Sequence, residues 1–574
     1  MVTTFSVQDV PFSHPGAWFG ISPVVAEKTY ADDLHLVSHQ TGMHAVLRFV
    51  PTRGGGRVDA RVTATPARLE WAHGAGAVEV VFENADTVRL RGRGLGMRVA
   101  AAAAALTPFS GAYLYGDPRD GSYVFTSYET GRRYRVTVLP GSRGTAAGAE
   151  LLGSGDRHLD LPDDCPWEVA IEEYATGRDP YRPDATFDQL ADAARSGFDR
   201  YLDAVAPWRS TRTPAAELAV YVLWSATVAP AGFLTRPAVL MSKHWMDKVW
   251  SWDHCFNALA LAAGDPDLAW HQFHVPFDHQ DPTGALPDSV AHSEVLYNFV
   301  KPPLHGWAFA RLRRLLPAPP AQDRLAEVYQ RLGRWTEFWL TQRRAPGHVL
   351  AHYHHGNDSG WDNATTFDAG GVLETADLAT ALIMQLRELG RLAAELGHTA
   401  AAVRWTDTAE QMQATLLSTL WDGSRFRARN THTGQLTDST SLLALMPIAL
   451  GSELPDEVRI ALTANLKAHL TPHGLATEPP GSPHYLADGY WRGPIWAPPT
   501  LLVEDRLRRA GQRRLADDIS DRFRRLCETS GFAENFNAET GEGLRDRAYT
   551  WTAAGYLILA AAHEARTSTS MNIA

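Results

Sequence analysis

The hydrophobic period of this chain changes once, near residue 200, and that change sets what it can fold into. Before it the period is two. In "RRYRVTVLPG", Tyr134, Val136 and Val138 alternate with Arg133, Arg135 and Thr137. In "PWEVAIEEYA", Trp167, Val169 and Ile171 alternate with Glu168, Ala170 and Glu172. Stretches such as "VEVVFENADTVRLRGRG" and "SYVFTSYETGRRYRV" read as further strands joined by turns. Alternation over many short runs predicts half-buried antiparallel strands, and so a β-sandwich. The segment "ATGRDPYRPDATFD", 175–188, reads as a linker leading into helix.

After about residue 215 the period becomes helical. Leu325, Val328, Tyr329, Leu332, Trp335 and Trp339 recur at three- and four-residue steps, one face of a helix over 323–343. Comparable segments lie near 215–228, 254–263, 268–278, 304–316, 372–396, 399–420, 439–451, 455–469, 499–510, 513–529 and 549–565. About twelve helices with Gly- and Pro-rich loops after roughly every second one suggest six hairpins closed into an (α/α)6 barrel; an open helical array is the alternative. The predicted organisation is an N-terminal antiparallel β-sandwich domain over 1–190, a linker to about 214, and a barrel catalytic domain over 215–565.

A chain of 574 residues is long for a single core, which fits that division. The formal net charge is −11 with no basic run, so no nucleic-acid partner is expected. No apolar run reaches membrane length. Cys165, Cys255 and Cys527 form no CxxC, and the N-terminal "MVTTFSVQDVPFSHPG" has no basic segment followed by an apolar one. These features predict a reducing, cytoplasmic setting. His352, His354 and His355 cluster without a further carboxylate or cysteine at ligand spacing, so neither a metal nor another cofactor is expected.

The loops between the helices hold the unusual residues: "SKHWMDKVWSWDHCFN", "HQDPTGALPDS", "YNFVKPPLHGWA", "HHGNDSGWDNATTFD", "YLADGYWRGPIW" and "GFAENFNAETGEGLRD". Fourteen of the 18 tryptophans fall in the helical region, several of them in these loops rather than on helical stripes. Turn chemistry alone explains the Asn, Asp, Gly and Ser of such segments. Aromatic rings flanked by carboxylates and amides also suit a pyranose, which offers apolar C–H faces inside a rim of hydroxyls. Hydrolysis of a glycosidic bond needs one carboxylic acid to protonate the leaving oxygen and one carboxylate to activate water or attack carbon.

The set "SWDHCFN", "KPPLHGWA", "DSGWDN", "GYWRGPIW" and "ENFNAETGEGLRDRAYTWTA" resembles glycoside hydrolase family 63 over roughly 215–565. That family includes bacterial α-glucosidases, mannosylglycerate and glucosylglycerate hydrolases and eukaryotic processing α-glucosidase I; family 37 trehalases belong to the same clan. The resemblance implies Asp362 as general acid and Glu534 as general base of an inverting, exo-acting α-glycosidase, an α-glucosidase first, acting on a small glucoside or oligosaccharide. Asp362 is then expected protonated and Glu534 ionised. Asp358, Asp368, Glu539 and Glu542 are the rival carboxylates; Asp368 reads as turn or capping chemistry and Asp358 as a ligand of its own loop. Trp252, Asp253, Trp361, Tyr490, Trp491 and Trp496 map to the sugar pocket. Arg492 reads either as a hydroxyl ligand or as a partner for a loop carboxylate. Lys301 stands where mannosylglycerate hydrolases carry Gln that touches the sugar, a departure from them. A mannosylglycerate or glucosylglycerate hydrolase or a trehalase-like enzyme is the alternative within this class. An (α/α)6-barrel epimerase, a phosphorylase or a non-catalytic carbohydrate-binding protein is the alternative outside it.

Overall fold

The computed structural model describes residues 3–571. They form two compact units, the first made of 3–207, 220–248 and 291–293 and the second of 208–219, 249–290 and 294–571.

The first unit is built on two antiparallel sheets. One runs in the order Phe19–Ala26, Thr29–Ser38, His44–Arg53, Gly96–Ala101, His158–Leu161, Thr145–Ala147, with Gly56–Arg57 paired to His44–Arg53. The other runs Ala112–Gly116, Tyr123–Ser127, Arg133–Val138, Trp167–Tyr174, Thr87–Arg93, Gly76–Asn84, Leu69–His73, Arg61–Ala64. Val136 lies opposite Ile171 and Tyr134 opposite Glu173. Phe49, Leu90, Met97, Tyr134, Val136 and Val169 meet in one core, as the alternation requires.

The polar alternates behave differently from a solvated face. Arg135 is fully buried; its Nε lies 2.7 Å from Glu172 Oε2 and its Nη2 donates to the Asp179 carbonyl. The cause is the segment after the last strand. Residues 175–188 cross this second face, and the region read as linker up to about 214 contains helix α1, Phe187–Val205. Thr186 and Gln189 form a reciprocal capping box at its start, a signal present in the sequence as Thr-x-x-Gln. Phe187 and Leu190 of α1 pack on Val81 of the sheet. Charges on a face covered in this way must be paired, and Arg135–Glu172 is such a pair.

Helix α2 (Ala216–Ala226) is shared between the units, 216–219 belonging to the second and 220–226 to the first; the other helices of the second unit are α3 (His254–Leu261), α4 (Pro266–His274), α5 (His305–Leu315), α6 (Gln322–Thr341), α7 (Ala376–Glu395), α8 (Thr399–Thr419), α9 (Asp456–His469), α10 (Ala497–Arg509), α11 (Arg513–Ser530) and α12 (Thr550–Met571). The segment 439–451, read as helix, is instead a 3-10 stretch, Leu442–Glu453. Pro447 lies within it and Gly451 has φ +60°, so no continuous α-helical ladder can form.

Six elements close into an inner ring: α3 packs on α5, α5 on α7, α7 on the 3-10 segment, that segment on α10, α10 on α12, and α12 back on α3. Outside it, α4 packs on α3, α6 and α8 on α7, α9 on the 3-10 segment, and α11 on α10 and α12. The unit is an (α/α)6 barrel. Burial follows position in it. Outer α6 buries one stripe that includes Leu325, Val328, Leu332, Trp335 and Trp339, whereas inner α7 is buried nearly all round, with Gln385 and Glu388 among its buried residues. Every loop rich in Trp and Asp enters an inner element at its N-terminal end: 249–253 before α3, 280–304 before α5, 342–375 before α7, 470–496 before α10 and 531–549 before α12. The fold therefore delivers the unusual residues to one end of the ring. Among the described residues no helix is long and apolar enough to cross a membrane.

The crossing of α5 with α7 depends on Gly306 of α5, where a Cβ would lie 2.6 Å from the Cα of Gln385 on α7. The Gly306 amide also donates to Gln385 Oε1 at 3.0 Å. Gly306→Ala is expected to cost about 1–3 kcal/mol through overpacking. Urea unfolding followed by circular dichroism checks this; an unchanged midpoint would mean that the crossing relaxes freely.

Candidate active site

Four carboxylates from four loops gather at this end of the ring. Asp253, at the N-terminus of α3, is buried, and Tyr549 at the start of α12 donates its hydroxyl to Asp253 Oδ2 at 3.4 Å. Asp288 and Lys301 come from the long loop before α5; both are buried, with Lys301 Nζ 3.1 Å from Asp288 Oδ1. Lys301 Nζ also donates to the Asn357 carbonyl at 2.8 Å, reaching the loop that carries Asp362. Glu534, buried, precedes the short hairpin Asn535–Phe536/Gly543–Leu544 before α12. Its amide donates to the Asp546 carbonyl at 2.7 Å and its own carbonyl accepts from Trp551 Nε1 at 3.4 Å.

These groups feel one another. Burial first, then the neighbouring Asp288 and Asp362, pushes Asp253 up to about 7, against the pull of Lys301. Burial likewise raises Asp362, with Lys301 opposing and Asp288 adding. Burial and Asp546 push Glu534 up to about 8, while Arg545 and a hydrogen bond from Tyr490 act against the rise. The Tyr490 phenol is raised well above its usual range by burial and by the fields of Glu534 and Asp362. The fields of Asp362 and Glu534, 172 positions apart (534 − 362), thus both act on one phenol. The rise at Glu534 runs against the sequence reading, which has that group ionised. In a fully buried position beside Asp546 and Asp253, desolvation dominates and favours the protonated acid.

The aromatic residues of the loops meet here as a stack. Trp491 lies between Trp496, with centroids 3.9 Å apart and planes 6° from parallel, and Trp361 at 4.7 Å and 29°. Trp252 approaches Trp491 at 6.3 Å and meets Trp551 edge-on at 5.5 Å. All four of Trp252, Trp361, Trp491 and Trp496 are at most 4% exposed. The stack is therefore a largely closed floor rather than an open set of platforms, with Trp491 covered on both faces. It fixes its neighbours in turn: Trp496 Nε1 donates to the Tyr490 carbonyl at 2.9 Å. Trp252 and Trp361 also line a small cavity with Leu304, Asp377, Met384 and Met446.

The other sequence candidates are placed as follows. Arg492 is turned away from the carboxylates, paired with Asp368 and donating its Nε to the Asn363 carbonyl at 2.7 Å. It acts as the partner of a loop carboxylate. Asp358 accepts from the amides of Val300 and His354 and from Arg343 Nη1 at 2.8 Å, ligating its own loop. Glu539 and Glu542 are exposed in the hairpin turn. His352 and His354 stack on each other at 5.2 Å, and His355 stacks on Phe299 at 5.3 Å. Elsewhere His254, Cys255 and His305 bring their ligand-type atoms within 4.8 Å of one another, buried under the site. The ring of His305 packs there against Phe277 and Trp335.

The sequence alone does not single out four functional neighbours: Asp288, Asn363, Arg545 and Tyr549. Asn363 joins the two halves of the site, accepting from the Trp491 amide and donating to the Gly489 carbonyl, both at 3.0 Å. The "DN" and "GLRD" of the quoted motifs contain two of them, but spacing does not say which polar residue turns inward.

Comparison with known proteins places these loops in a family. Residues 246–552, more than half of the chain, match the family described as mannosylglycerate hydrolase MGH1-like glycoside hydrolase domain. The mannosylglycerate hydrolase of Rubrobacter radiotolerans is 26% identical over 423 residues, covering 56% of this chain and 92% of that protein. Among solved structures, the GH63 mannosylglycerate hydrolase of Thermus thermophilus in complex with Tris superposes with a TM-score of 0.52 at 21% identity, covering 60% of this chain and 100% of that one. The same protein is also known in complex with glucose and with Tris and D-glycerate. A bacterial glucoamylase complexed with acarbose superposes with a TM-score of 0.63 at 11% identity, over 98% of this chain and 95% of that one. It matches the succession of β-sandwich and barrel.

The Asp362 turn sits on Trp252 only because residue 360 is glycine. Gly360 has φ +71°, and a Cβ there would lie 2.6 Å from the Trp252 indole. Gly360→Ala combines a left-handed backbone with a clash, for which a cost of roughly 1–3 kcal/mol is expected. Displacement of the turn by even about 1 Å should lower kcat on the order of a hundredfold. Turnover and thermal midpoint measured on the same preparation check this; full activity would mean that the turn does not position a reacting group.

Proposed function

Because this chain belongs to the mannosylglycerate hydrolase MGH1-like family of glycoside hydrolases, we propose that it hydrolyses a small α-glycoside of a hydroxy acid, mannosylglycerate or glucosylglycerate, as an exo-acting, inverting enzyme. The mannosylglycerate hydrolase of Rubrobacter radiotolerans aligns over 92% of its own length, which favours this reading over a general α-glucosidase. The observation that carries it is the gathering of carboxylates from four loops at one end of the ring, with Lys301 bridging Asp288 to the loop that bears Asp362 and Tyr549 linking Asp253 to the start of α12. Asp362 protonates the leaving oxygen as general acid, and Glu534 takes a proton from the water that attacks the anomeric carbon from the other face. The C–O bond to the aglycone breaks as the C–O bond to water forms, and the configuration inverts. Asp253, whose buried Oδ1 accepts from no other described residue, is suited to a sugar hydroxyl. Trp252 and Trp361 support the apolar face of the ring. The three cysteines are unpaired and two are buried, in keeping with a reducing, cytoplasmic setting.

The raised positions of both carboxylates make the assignment of roles testable. Fluoride leaves without needing a proton, so an α-glycosyl fluoride bypasses the acid but not the base. Asp362→Asn should lose about three orders of magnitude or more on the glycerate glycoside yet recover most of its rate on the fluoride, while Glu534→Gln is inactive on both. Recovery by Glu534→Gln instead would exchange the two roles. Proton NMR in the first minutes should show the β-anomer of the sugar released first; an α-anomer would indicate double displacement. Because activity needs Glu534 ionised and Asp362 protonated in the same molecule, kcat/KM should be bell-shaped in pH, with limbs that belong to the pair. A profile already flat from about pH 6 to 9 would contradict the assignment.

A further inference from the structure

Two residues beside Glu534 hold a backbone conformation that L-residues seldom adopt. Tyr490 has φ +63° and Arg545 φ +61°, two of four such non-glycine residues among those described. The other two, Lys28 and Glu150, lie in the β-sandwich unit. Strained backbone persists where the surroundings over-determine it, and such sites cluster around function. Here the surroundings are specific. Arg545 Nη1 donates to Asn535 Oδ1 at 2.9 Å, and Asn535 is the residue that follows Glu534. The same Nη1 lies 2.7 Å from Asp488 Oδ1, and Nη2 donates to the Asp488 carbonyl at 3.3 Å. The guanidinium sits over the Tyr490 ring, 4.9 Å from its centroid. Tyr490 in turn hydrogen-bonds the Glu534 carboxylate. One side chain therefore grips the residue beside Glu534, the phenol that touches Glu534 and the loop that carries the phenol.

We propose that Arg545 is the positioning residue for Glu534: it fixes the orientation and the charge of that carboxylate, and the left-handed backbone at 545 and 490 is the geometry that this grip demands. The inference rests on the reading of Glu534 as a reacting group. The groups that act on Glu534 are Asp546 and Arg545 from its own hairpin region, Tyr490 from the loop before α10, Asp253 from the loop before α3, and Tyr549 at the start of α12. Asp546 and Asp253 disfavour ionisation of Glu534, Tyr490 donates to the carboxylate, Arg545 is the cation, and the Tyr549 phenol is itself raised by Glu534. Planarity matters as well as charge, because a guanidinium can stack on a ring and bridge two acceptors at once where an ammonium cannot.

The test is the pH dependence of kcat/KM on the glycerate glycoside for wild type, Arg545→Lys, Arg545→Met and Arg545→Gly, with thermal midpoints recorded alongside. Arg545→Met should move the ascending limb upward by about one pH unit, a roughly tenfold loss below the limb that shrinks well above it. Arg545→Lys keeps the charge and should leave the limb near its wild-type position while lowering kcat. Arg545→Gly relieves the left-handed strain, so its midpoint should stay level or rise while its limb moves as in Arg545→Met. If Glu534 were the acid, Glu534→Gln would keep its rate on the α-glycosyl fluoride, which separates failure of that reading from failure of this one. Uniform loss at every pH with neither limb displaced, or no loss at all, would overturn the inference.

Discussion

The controlling constraint on the helical unit is the burial of several carboxylates in one place. An ionised carboxylate removed from water without compensation is among the costliest arrangements a protein can hold, and groups so placed neutralise or find partners. Here both outcomes occur. Lys301 compensates Asp288 and reaches the Asn357 carbonyl. Asp253 and Glu534 are pushed up to about 7 and about 8. The buried tryptophan stack and Asn363 tie together the two loops that carry Asp362 and Trp491. Ring closure supplies the rigidity: the carboxylates stand at the entrances to α3, α5, α7 and α12, helices that are fixed by one another.

The same constraint explains what can be read from the sequence. Period two and period 3.6 are properties of faces, and both are visible in the residues because cores are selected for them. The helix pattern across 323–343 and the placement of Asp362 and Glu534 on long loops follow from local text. What escapes is decided at a distance. Arg135 belongs to the polar side of its strand by alternation, yet it is buried because residues 175–188 lie across that side. The stretch 439–451 has helical hydrophobicity, but Pro447 and Gly451 tighten and then break it. Helix α1 lies within the supposed linker although its capping box is in plain view.

For the site, the motifs name loops that meet at one end of the ring but not every inward-facing group. Asp288 sits in an ordinary Pro-Asp-Ser turn sequence, and only the approach of Lys301 makes it a member of the cluster. Arg492 and Arg545 look alike in sequence, each in a glycine-rich loop beside the pocket. One is paired with Asp368; the other contacts Asn535 and the Tyr490 ring. The charge of Glu534 is hidden for a related reason. A carboxylate in a polar motif reads as ionised, whereas the folded protein withdraws it from solvent and sets a second carboxylate beside it. Ligand class is carried by relatives rather than by any single residue, since glucose and mannose differ by one hydroxyl.

The contact of α12 with α3 closes the ring between its first and last inner helices. During synthesis the loop bearing Asp362 emerges 172 residues before Glu534 (534 − 362), a delay on the order of ten to thirty seconds at ribosomal speeds. Through that interval α3 presents its apolar side without the helix that will cover it. The ring accordingly stays open and that apolar side exposed to misassociation until a single helix docks.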